Sequence, residues 1–377
     1  MRIGIDMRMA GTGEGIGRYI EELVRALSKI DQENEYFLLL RPNFQFQISP
    51  PSGDLPQGDN FKQTAVNANY YSWAEQTKFI WELKRLKLDL VHFASFNAPI
   101  LYPGKFVVTI HDIIHHLYPG KKKSRFFHRL AYKATITSTV RRAKRIIAVS
   151  EATKKDLLKT FCISPDKVEV ISEGIEEQFS KSITEEKISK VLAKYEITKP
   201  YILFVGVWRQ YKNLPRLAQA FDILQEKTNG AYQLVLAGKI DPYYPEIKSQ
   251  IMDSKYSQDI RSLGFVPDWD LHKIYRGARA FVLPSLIEGF GLIGIEAQAS
   301  GVPVVCSNIE VLKEVLGPGA IYFDPLDIND MASKVHEVLQ NAQLAGKIKD
   351  LGVKNAEKFN WDTAARKTLD IYRSIKQ

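Results

Sequence analysis

The chain has 377 residues, of which 45% are hydrophobic and 25% are charged, and its formal net charge is +9. This length gives room for two domains of ordinary size, and the composition excludes a disordered or fibrous protein. No run of 18 apolar residues occurs, so we expect no transmembrane span. The opening residues lack the features of a signal peptide. The two cysteines stand at no metal-ligand spacing, which favours a reducing, cytoplasmic setting.

Short apolar runs alternate with longer stretches of helical period, a pattern that predicts βα units and parallel sheets. In the first half, strands are predicted at 2–6, 36–40, 90–93, 106–111, 145–150 and 168–171, with helices at 17–29 and 73–87. In the second half, strands are predicted at 202–206, 233–238, 280–283, 302–306 and 320–323. The polar segment 180–199 is expected to connect two domains. The sequence therefore predicts an α/β fold with two doubly wound domains facing across a cleft, and ligand at the carboxyl ends of the strands.

Two motifs of the first half lie where predicted strands end. The glycine-rich loop 11–19 follows the first strand, but it fits no G-x-G-x-x-G register and no phosphate-loop lysine follows, which disfavours a nicotinamide enzyme. His111 and Asp112 end an apolar strand, so we expect them at the carboxyl edge of the first sheet. His115 and His116 do not complete a zinc ligand set, and we predict no metal site.

Much of the positive charge is concentrated in one segment. Residues 121–145 contain ten Lys or Arg and no Asp or Glu, interleaved with three aromatic residues, Phe126, Phe127 and Tyr132. A solvated helical face is the plainest interpretation. An anionic membrane surface, or a lipid-linked acceptor held there, is the alternative. Such a segment also suits nucleic acid, but we expect no nucleic-acid partner.

The stretch 281–308 joins two apolar, strand-like runs through a glycine-rich turn and a short helix, with Glu288 in the turn and Glu296 eight positions later. Backbone N–H groups at the start of such a helix favour an anion, and a diphosphate would fit there. A carboxylate accepts hydrogen bonds in pairs, so Glu296 suits the two hydroxyls of a ribose and Glu288 those of a second sugar. This pattern predicts a nucleotide-sugar site.

These residues also carry a family resemblance. The run 288–292, the seven residues between the two glutamates, then Ala297 and the run 301–305 resemble the E-x7-E signature of retaining family 4 glycosyltransferases, which have the GT-B fold. Within that family, the likeness is to bacterial mannosyltransferases that build surface polysaccharide. The family usually has prolines where this chain has Ile293 and Gly294.

The resemblance implies an activity. The expected reaction is transfer of a hexose, mannose from GDP-mannose, to a hydroxyl of a glycan or lipid-linked glycan, without metal or cofactor. Two-carboxylate glycosidase chemistry is the rival mechanism, whereas the resemblance implies front-face substitution assisted by the leaving phosphate. A UDP-hexose donor, a sugar-nucleotide epimerase, a phosphorylase and an inactive membrane scaffold are the alternatives. We expect a cytoplasmic protein, placed peripherally at the inner face of the cell membrane.

The resemblance also implies an organisation and a set of site residues. It implies an acceptor domain at 1–180, a donor domain at 181–360 and a final helix at 361–377 that packs back on the first domain. Glu288, Lys212, Arg209 and His111 are implied at the reacting centre. The implied donor-binding residues are Gly15, Gly17, Asp112, Gly206, Val266, Gly289, Phe290, Gly291, Leu292, Ile293 and Glu296. The family has Asn-Gly where this chain has Glu173 and Gly174, and no role is assigned to Glu173.

Overall fold

A computed structural model describes residues 1–13, 15–48, 60–117 and 126–376, which fold as two compact units. The first unit contains residues 1–174 and 360–377, and the second contains residues 175–359. The segment 180–199 belongs to the second unit and contains a helix. The chain therefore passes from one unit to the other twice.

The elements of the first 174 residues are β1 (Arg2–Asp6), α1 (Gly15–Ile30), β2 (Glu35–Leu40), β3 (Phe61–Ala65), α2 (Trp73–Gln76), α3 (Lys78–Arg85), β4 (Leu90–Phe93), β5 (Phe106–Ile110), α4 (Ile114–Leu117), α5 (Phe126–Arg142), β6 (Arg145–Ala148), α6 (Glu151–Phe161) and β7 (Val168–Val170). The second unit continues with α7 (Glu177–Ser180), α8 (Glu185–Lys194), β8 (Tyr201–Val205), α9 (Leu214–Lys227), β9 (Gln233–Ala237), α10 (Pro245–Met252), β10 (Ile260–Gly264), α11 (Asp268–Gly277), β11 (Ala280–Leu283), α12 (Leu292–Ala299), β12 (Val304–Ser307), α13 (Glu310–Leu316), β13 (Ala320–Phe323), α14 (Ile328–Gln340) and α15 (Ala342–Ala356). The last helix, α16 (Trp361–Lys376), returns to the first unit.

The first unit is built on a seven-stranded parallel sheet of order β3-β2-β1-β4-β5-β6-β7. Side chains alternate along β2: Leu38 packs with α1 and α16 on one face, while Leu39 packs on the other with Phe79 and Leu83 of α3. Both faces of the sheet are therefore covered, as parallel sheets require. Helix α16 packs along α1, and Leu369 and Tyr372 belong to the same hydrophobic core as β1.

The second unit is built on a six-stranded parallel sheet of order β10-β9-β8-β11-β12-β13. Its strands β8 and β9 are buried along their whole length because helices cover both faces. In chain order this arrangement is 3-2-1-4-5-6, which places a topological switch point between β8 and β11. Ligands of such sheets bind beside the carboxyl ends of the two strands at the switch point.

The structure confirms the predicted α/β class and eleven predicted strands, with ends that differ by no more than two residues. Two strands were not predicted, β3 and β10, which are the edge strands on one side of each sheet. Both have mixed polar sequences and partly exposed side chains, so they lack the apolar run of a central strand. The predicted helix 73–87 is two helices, α2 and α3, because Thr77 leaves the helical conformation at φ −129° and ψ −75°.

Candidate active site

Lys212 and Glu288 meet beside the switch point of the second sheet. Lys212 follows β8 and Glu288 follows β11, which are neighbouring strands, and Lys212 Nζ lies 2.6 Å from Glu288 Oε1. The two side chains are 13% and 10% exposed. The ion pair is therefore sheltered but still open to a ligand, and Lys212 has three N–H donors to share.

Asn213 explains why the turn that carries Lys212 is rigid. Its backbone is left-handed at φ 59°, and its buried Nδ2 donates to the carbonyl oxygens of Pro284 (3.0 Å) and Pro325 (2.8 Å). The backbone N–H of Leu286 also donates to Tyr211 O at 2.8 Å. These bonds fasten the loop after β8 to the loop after β11 and fix the two charged side chains near each other.

Two positions of this edge require glycine, Gly206 for its backbone conformation and Gly238 for lack of space. Gly206, directly after β8, has φ +148°, and a Cβ at Gly238, directly after β9, would lie 2.0 Å from the carbonyl oxygen of Gly206. The loops after these strands can therefore approach each other only at glycine.

Arg209 is held by two side chains of its own unit. Its Nε lies 3.3 Å from Asp241 Oδ2, and its guanidinium donates to Tyr211 Oη at 3.4 Å. Burial lowers the pKa of Arg209, but Tyr211 and Asp241 outweigh burial and raise it above its ordinary value. Arg209 is thus a fixed cation on the same loop as Lys212. Asp241, in the loop after β9, was not predicted because no local pattern links it to Arg209, 32 positions away.

Glu296 is fully buried inside α12, where Tyr275 Oη donates to its Oε2 at 3.0 Å. The same hydroxyl lies 3.3 Å from the carbonyl oxygen of Ile293. Burial of a carboxylate is costly unless hydrogen bonds hold it, so Tyr275 fixes the position of Glu296. Glu296 is therefore not a solvated surface charge.

The turn between the two glutamates presents backbone more than side chains. Gly291 has φ +90° and directly precedes Leu292, the first residue of α12. Phe290 is buried and packs on Phe359, with 5.7 Å between the ring centroids. Within the predicted run 289–293, the side chain of Phe290 thus belongs to the core. An anion could instead be bound by the backbone N–H groups at the start of α12.

Val266, predicted to hold the base, follows β10 and is buried. The preceding Phe265 is 57% exposed, and Lys239 Nζ lies 5.1 Å from the centre of its ring. The backbone of Gly264 accepts a hydrogen bond from Gly238 N at 2.7 Å. The end of β10 is therefore attached to the loop after β9 and lies on the same sheet edge.

The predicted residues of the first unit form a separate group. Gly15 begins α1, and a Cβ at Gly17 would lie 2.6 Å from the carbonyl oxygen of Met9, so α1 starts in close contact with the loop after β1. Glu14, in the same loop, lies outside the described residues. Asp112 Oδ1 accepts from the backbone N–H of Ile114 at 2.8 Å and fixes the start of α4.

His111 uses both ring nitrogens within the first unit. Its Nδ1 lies 2.9 Å from Glu173 Oε1, and its Nε2 lies 3.0 Å from the carbonyl oxygen of Ala94. Burial lowers the pKa of His111, but the hydrogen bond and charge of Glu173 outweigh it and raise the pKa above its usual value. Both partners present acceptor oxygens, an arrangement that favours the imidazolium form of the ring. This contact is the role of Glu173 that the sequence did not reveal.

Further polar side chains at this edge also bond to one another. Arg8, which is 1% exposed, lies 2.8 Å from Asp6 Oδ2 and 2.6 Å from Glu75 Oε1. Burial raises the pKa of Glu75 to about 7, and the nearby Arg8 acts in the opposite direction. The loop after β1 is therefore closed by a buried ion-pair cluster.

The basic segment 121–145 is described in part. Lys121, Lys122 and Lys123 lie outside the described residues, and α5 covers the segment from 126 to 142. Arg129, Lys133 and Arg141 of this helix are exposed. Across the described ranges, no group of three or more His, Cys, Asp or Glu is placed to hold a metal ion, and no helix has the length and apolar character to cross a membrane.

Comparison with known proteins gives consistent matches along the chain. Residues 13–179 match the family described as Glycosyltransferase Family 4, and residues 184–355 match Glycosyl transferases group 1. The O-antigen chain mannosyltransferase B of Escherichia coli is 28% identical over 382 residues, 96% of each chain.

Two solved structures show the same architecture. Sucrose-phosphate synthase from Thermosynechococcus elongatus superposes with a TM-score of 0.79 at 18% identity, over 100% of this chain and 99% of that one. HepE of Anabaena, in complex with UDP and glucose, superposes with a TM-score of 0.78 at 16% identity, over 99% of this chain and 100% of that one. These likenesses show the fold, and at this identity they show the fold alone.

Proposed function

Since the chain belongs to glycosyltransferase family 4 and has the GT-B fold, we propose that it transfers mannose from GDP-mannose to a glycan or lipid-linked glycan hydroxyl. The proposal includes retention of anomeric configuration and a place in surface polysaccharide synthesis. The observation that carries it is the Lys212 and Glu288 pair beside the switch point of the second sheet. The relative from Escherichia coli, an O-antigen chain mannosyltransferase, supports mannose as the sugar.

The proposed roles follow from charge and position. Lys212 and Arg209 stabilise the diphosphate as it departs with negative charge, and the N–H groups at the start of α12 add to them. Glu288 orients the donor sugar, and the buried Glu296 binds the ribose hydroxyls. Val266, together with the turn after β10, lies against the base.

In the proposed reaction the bond between the anomeric carbon and the diphosphate oxygen breaks, and the acceptor oxygen bonds to the same face of that carbon. The proton of the acceptor hydroxyl passes to the departing phosphate oxygen, so no protein nucleophile is required. The 2.6 Å contact with Lys212 supports an orienting role for Glu288, because a carboxylate bound to an ammonium group is a weaker nucleophile. No metal or other cofactor enters this scheme.

His111 and Asp112 are proposed to contribute to binding of the donor sugar. Because both nitrogens of His111 already bond to Glu173 and Ala94, His111 contributes a fixed positive charge rather than a proton. The loop containing Gly15 and Gly17 is proposed to lie against the donor through its backbone.

The proposed acceptor is a lipid-linked glycan at an anionic membrane surface, approached through the basic segment 121–145. A UDP-hexose donor is the alternative to GDP-mannose, since UDP and glucose occupy the HepE structure. An epimerase of the same fold would convert a nucleotide sugar without any acceptor, so product analysis in its absence separates the two activities.

A screen of nucleotide sugars by thermal shift tests the donor. A ligand at 100 times its Kd stabilises the folded chain by about 2.7 kcal/mol, and we expect this for GDP-mannose in preference to UDP-hexoses. NMR of the product's anomeric proton then reports retention or inversion. Absence of stabilisation by any nucleotide sugar would refute the proposed function, and an inverted product would refute the front-face mechanism.

A further inference from the structure

The exposed side of residues 71–87 in the first unit combines aromatic and basic side chains. Trp73 is 88% exposed, Trp81 is 57% exposed and Tyr71 is 49% exposed. The exposed cations of the same segment are Lys78, Lys84, Arg85 and Lys87. We call these seven side chains the aromatic ridge.

The aromatic ridge runs over two consecutive helices, α2 and α3. Within α3, Lys78, Trp81 and Arg85 follow one another at intervals of three and four, the spacing that places side chains on one helix face, and Arg85 Cζ lies 4.6 Å from the centre of the Trp81 ring. Two hydrogen bonds keep α2 and α3 in succession, from Thr77 Oγ1 to Trp73 O (3.3 Å) and from Trp81 N to Thr77 O (3.4 Å). The opposite side is buried in the core, so the exposed side is not needed to hold the helices in place.

The acids of this segment do not belong to its exposed side. Glu75 is buried against Arg8 at 2.6 Å and also accepts from the backbone N–H of Tyr71 at 3.1 Å. Glu82 is half-buried and accepts from the backbone N–H of Asn67 at 3.1 Å. Among residues 71–87, all of which the structure describes, the exposed charged side chains are therefore all positive.

The aromatic ridge adjoins further apolar and basic side chains. The ring of Phe96 lies 5.8 Å from that of Tyr71 and 5.0 Å from that of Tyr132 in α5. Near Tyr132 in α5, Leu130 is 56% exposed, and Arg129 and Lys133 are also exposed. Phe96 thus connects one end of the aromatic ridge, at Tyr71, with Tyr132 of α5.

We propose that the aromatic ridge docks the protein on an anionic lipid bilayer. Tryptophan and tyrosine rings favour the boundary between headgroups and acyl chains, and each Lys or Arg near an anionic leaflet adds attraction. The occupant is an anionic membrane rather than a neutral glycan, because the exposed charges of the ridge are all positive and an anionic leaflet complements them, whereas an uncharged ligand does not. This inference extends the lipid-linked acceptor of the proposed function, but it rests on different residues.

Vesicle binding by the full chain tests the inference without any donor or acceptor. We expect the chain to float with phosphatidylglycerol-rich vesicles and not with pure phosphatidylcholine, with binding lost in high salt because the charges are screened. Trp208 and Trp361 are buried, so once the exposed Trp269 is replaced, a blue shift of tryptophan fluorescence on vesicle binding reports Trp73 and Trp81.

Variants locate the docking surface. Replacing both tryptophans, Trp73→Ala with Trp81→Ala, removes two large interfacial side chains and should lower vesicle partitioning about tenfold or more. Lys84→Gln should lower it about fivefold. The matched control is Trp269→Ala, since Trp269 is 66% exposed in the second unit; its partitioning should equal that of the wild type. All variants should keep the wild-type melting temperature, because the changed side chains are exposed.

Unchanged partitioning of the double tryptophan variant would overturn the inference, and so would an equal loss of partitioning in Trp269→Ala. The inference would also be overturned if the wild type bound single-stranded DNA or a neutral mannan and the double variant lost that binding while still binding vesicles. A chain that binds the vesicles through these residues but stabilises with no nucleotide sugar would refute the proposed function and leave the docking surface standing. Lys212→Ala should bind vesicles like the wild type.

Discussion

The carboxyl edges of the two sheets differ in how far their cationic side chains are exposed to solvent. In the first unit, Arg8 is 1% exposed and is enclosed by Asp6 and Glu75. In the second unit, Lys212 is 13% exposed and Arg209 is 35% exposed, and each contacts a carboxylate while part of its surface stays open to solvent. An enclosed charge contributes mainly to folding, whereas a partly exposed and rigidly held one is available to a ligand. The comparison predicts which changes alter stability and which alter turnover.

Arg8→Met should have the largest effect and should act on stability. It leaves Glu75 and Asp6 without their buried cation, and breaking a buried ion pair from one side costs about 3–5 kcal/mol. Denaturant unfolding of wild type and variant measures the loss. Arg373→Met is the matched control in the same unit, because Arg373 contacts acids only at the exposed surface. A loss below about 1 kcal/mol for Arg8→Met would mean that this edge is not held by its charges.

Lys212→Ala should act on turnover with little change in stability. Loss of one group that stabilises the charge of the leaving diphosphate should lower kcat by about 10²–10³, measured with the donor that the thermal-shift screen identifies. Lys334→Ala, at an exposed ion pair of α14, is the control and should retain wild-type turnover. Wild-type kcat in Lys212→Ala would remove this side chain from the reaction.

Glu173→Gln should lower the free energy of unfolding by an amount that depends on pH. The pKa of His111 is raised in the folded chain, so its stabilising contribution is complete below about pH 6.5 and is lost as the pH rises through the folded pKa. The variant should therefore lose about 1.5–3 kcal/mol at pH 6 and less at pH 9, as measured by urea unfolding.

His92 also contributes to the pH dependence of stability in that experiment. Burial lowers the pKa of His92 to about 3, so its stabilising contribution is lost as the pH falls below its ordinary value. Burial, the main cause, is the same in wild type and variant, whereas the smaller effect of the His111 charge on His92 differs between them. An equal difference at pH 6 and pH 9 would show that His111 is not held as a cation by Glu173.

Tyr275→Phe should have the smallest effect and should sharpen the comparison within the second unit. It removes the hydroxyl that donates to Glu296, which should weaken donor binding by about 0.5–1.5 kcal/mol without changing kcat. Isothermal titration with the nucleotide sugar measures the affinity. Tyr195→Phe, which removes the hydroxyl that donates to Asp270 in the same unit, should bind donor like the wild type. An equal loss of donor affinity in the two variants would mean that the loss reflects lower stability of the second unit and not the contact with Glu296.

The fold was predictable where strands are buried on both faces, since β4, β8 and β11 read as apolar runs. The edge strands β3 and β10 were not, because their sequences are mixed and polar, their side chains are partly exposed, and neither contains an apolar run. The meeting of Lys212 with Glu288, 76 positions apart, follows from two strand ends that the sheet order makes neighbours. The contact of Glu173 with His111 joins residues 62 positions apart and has no local sequence pattern, so only the structure reveals it.

Helix α16 gives the chain an unusual order of assembly. Its Leu369 and Tyr372 complete the core around β1, and Tyr372 Oη lies 2.6 Å from His92 Nδ1. During synthesis the whole of the second unit leaves the ribosome before these residues do, so the half that is translated first is the half that finishes last. Chains truncated after Phe359 should therefore hold a protease-resistant second unit and an unfinished first one.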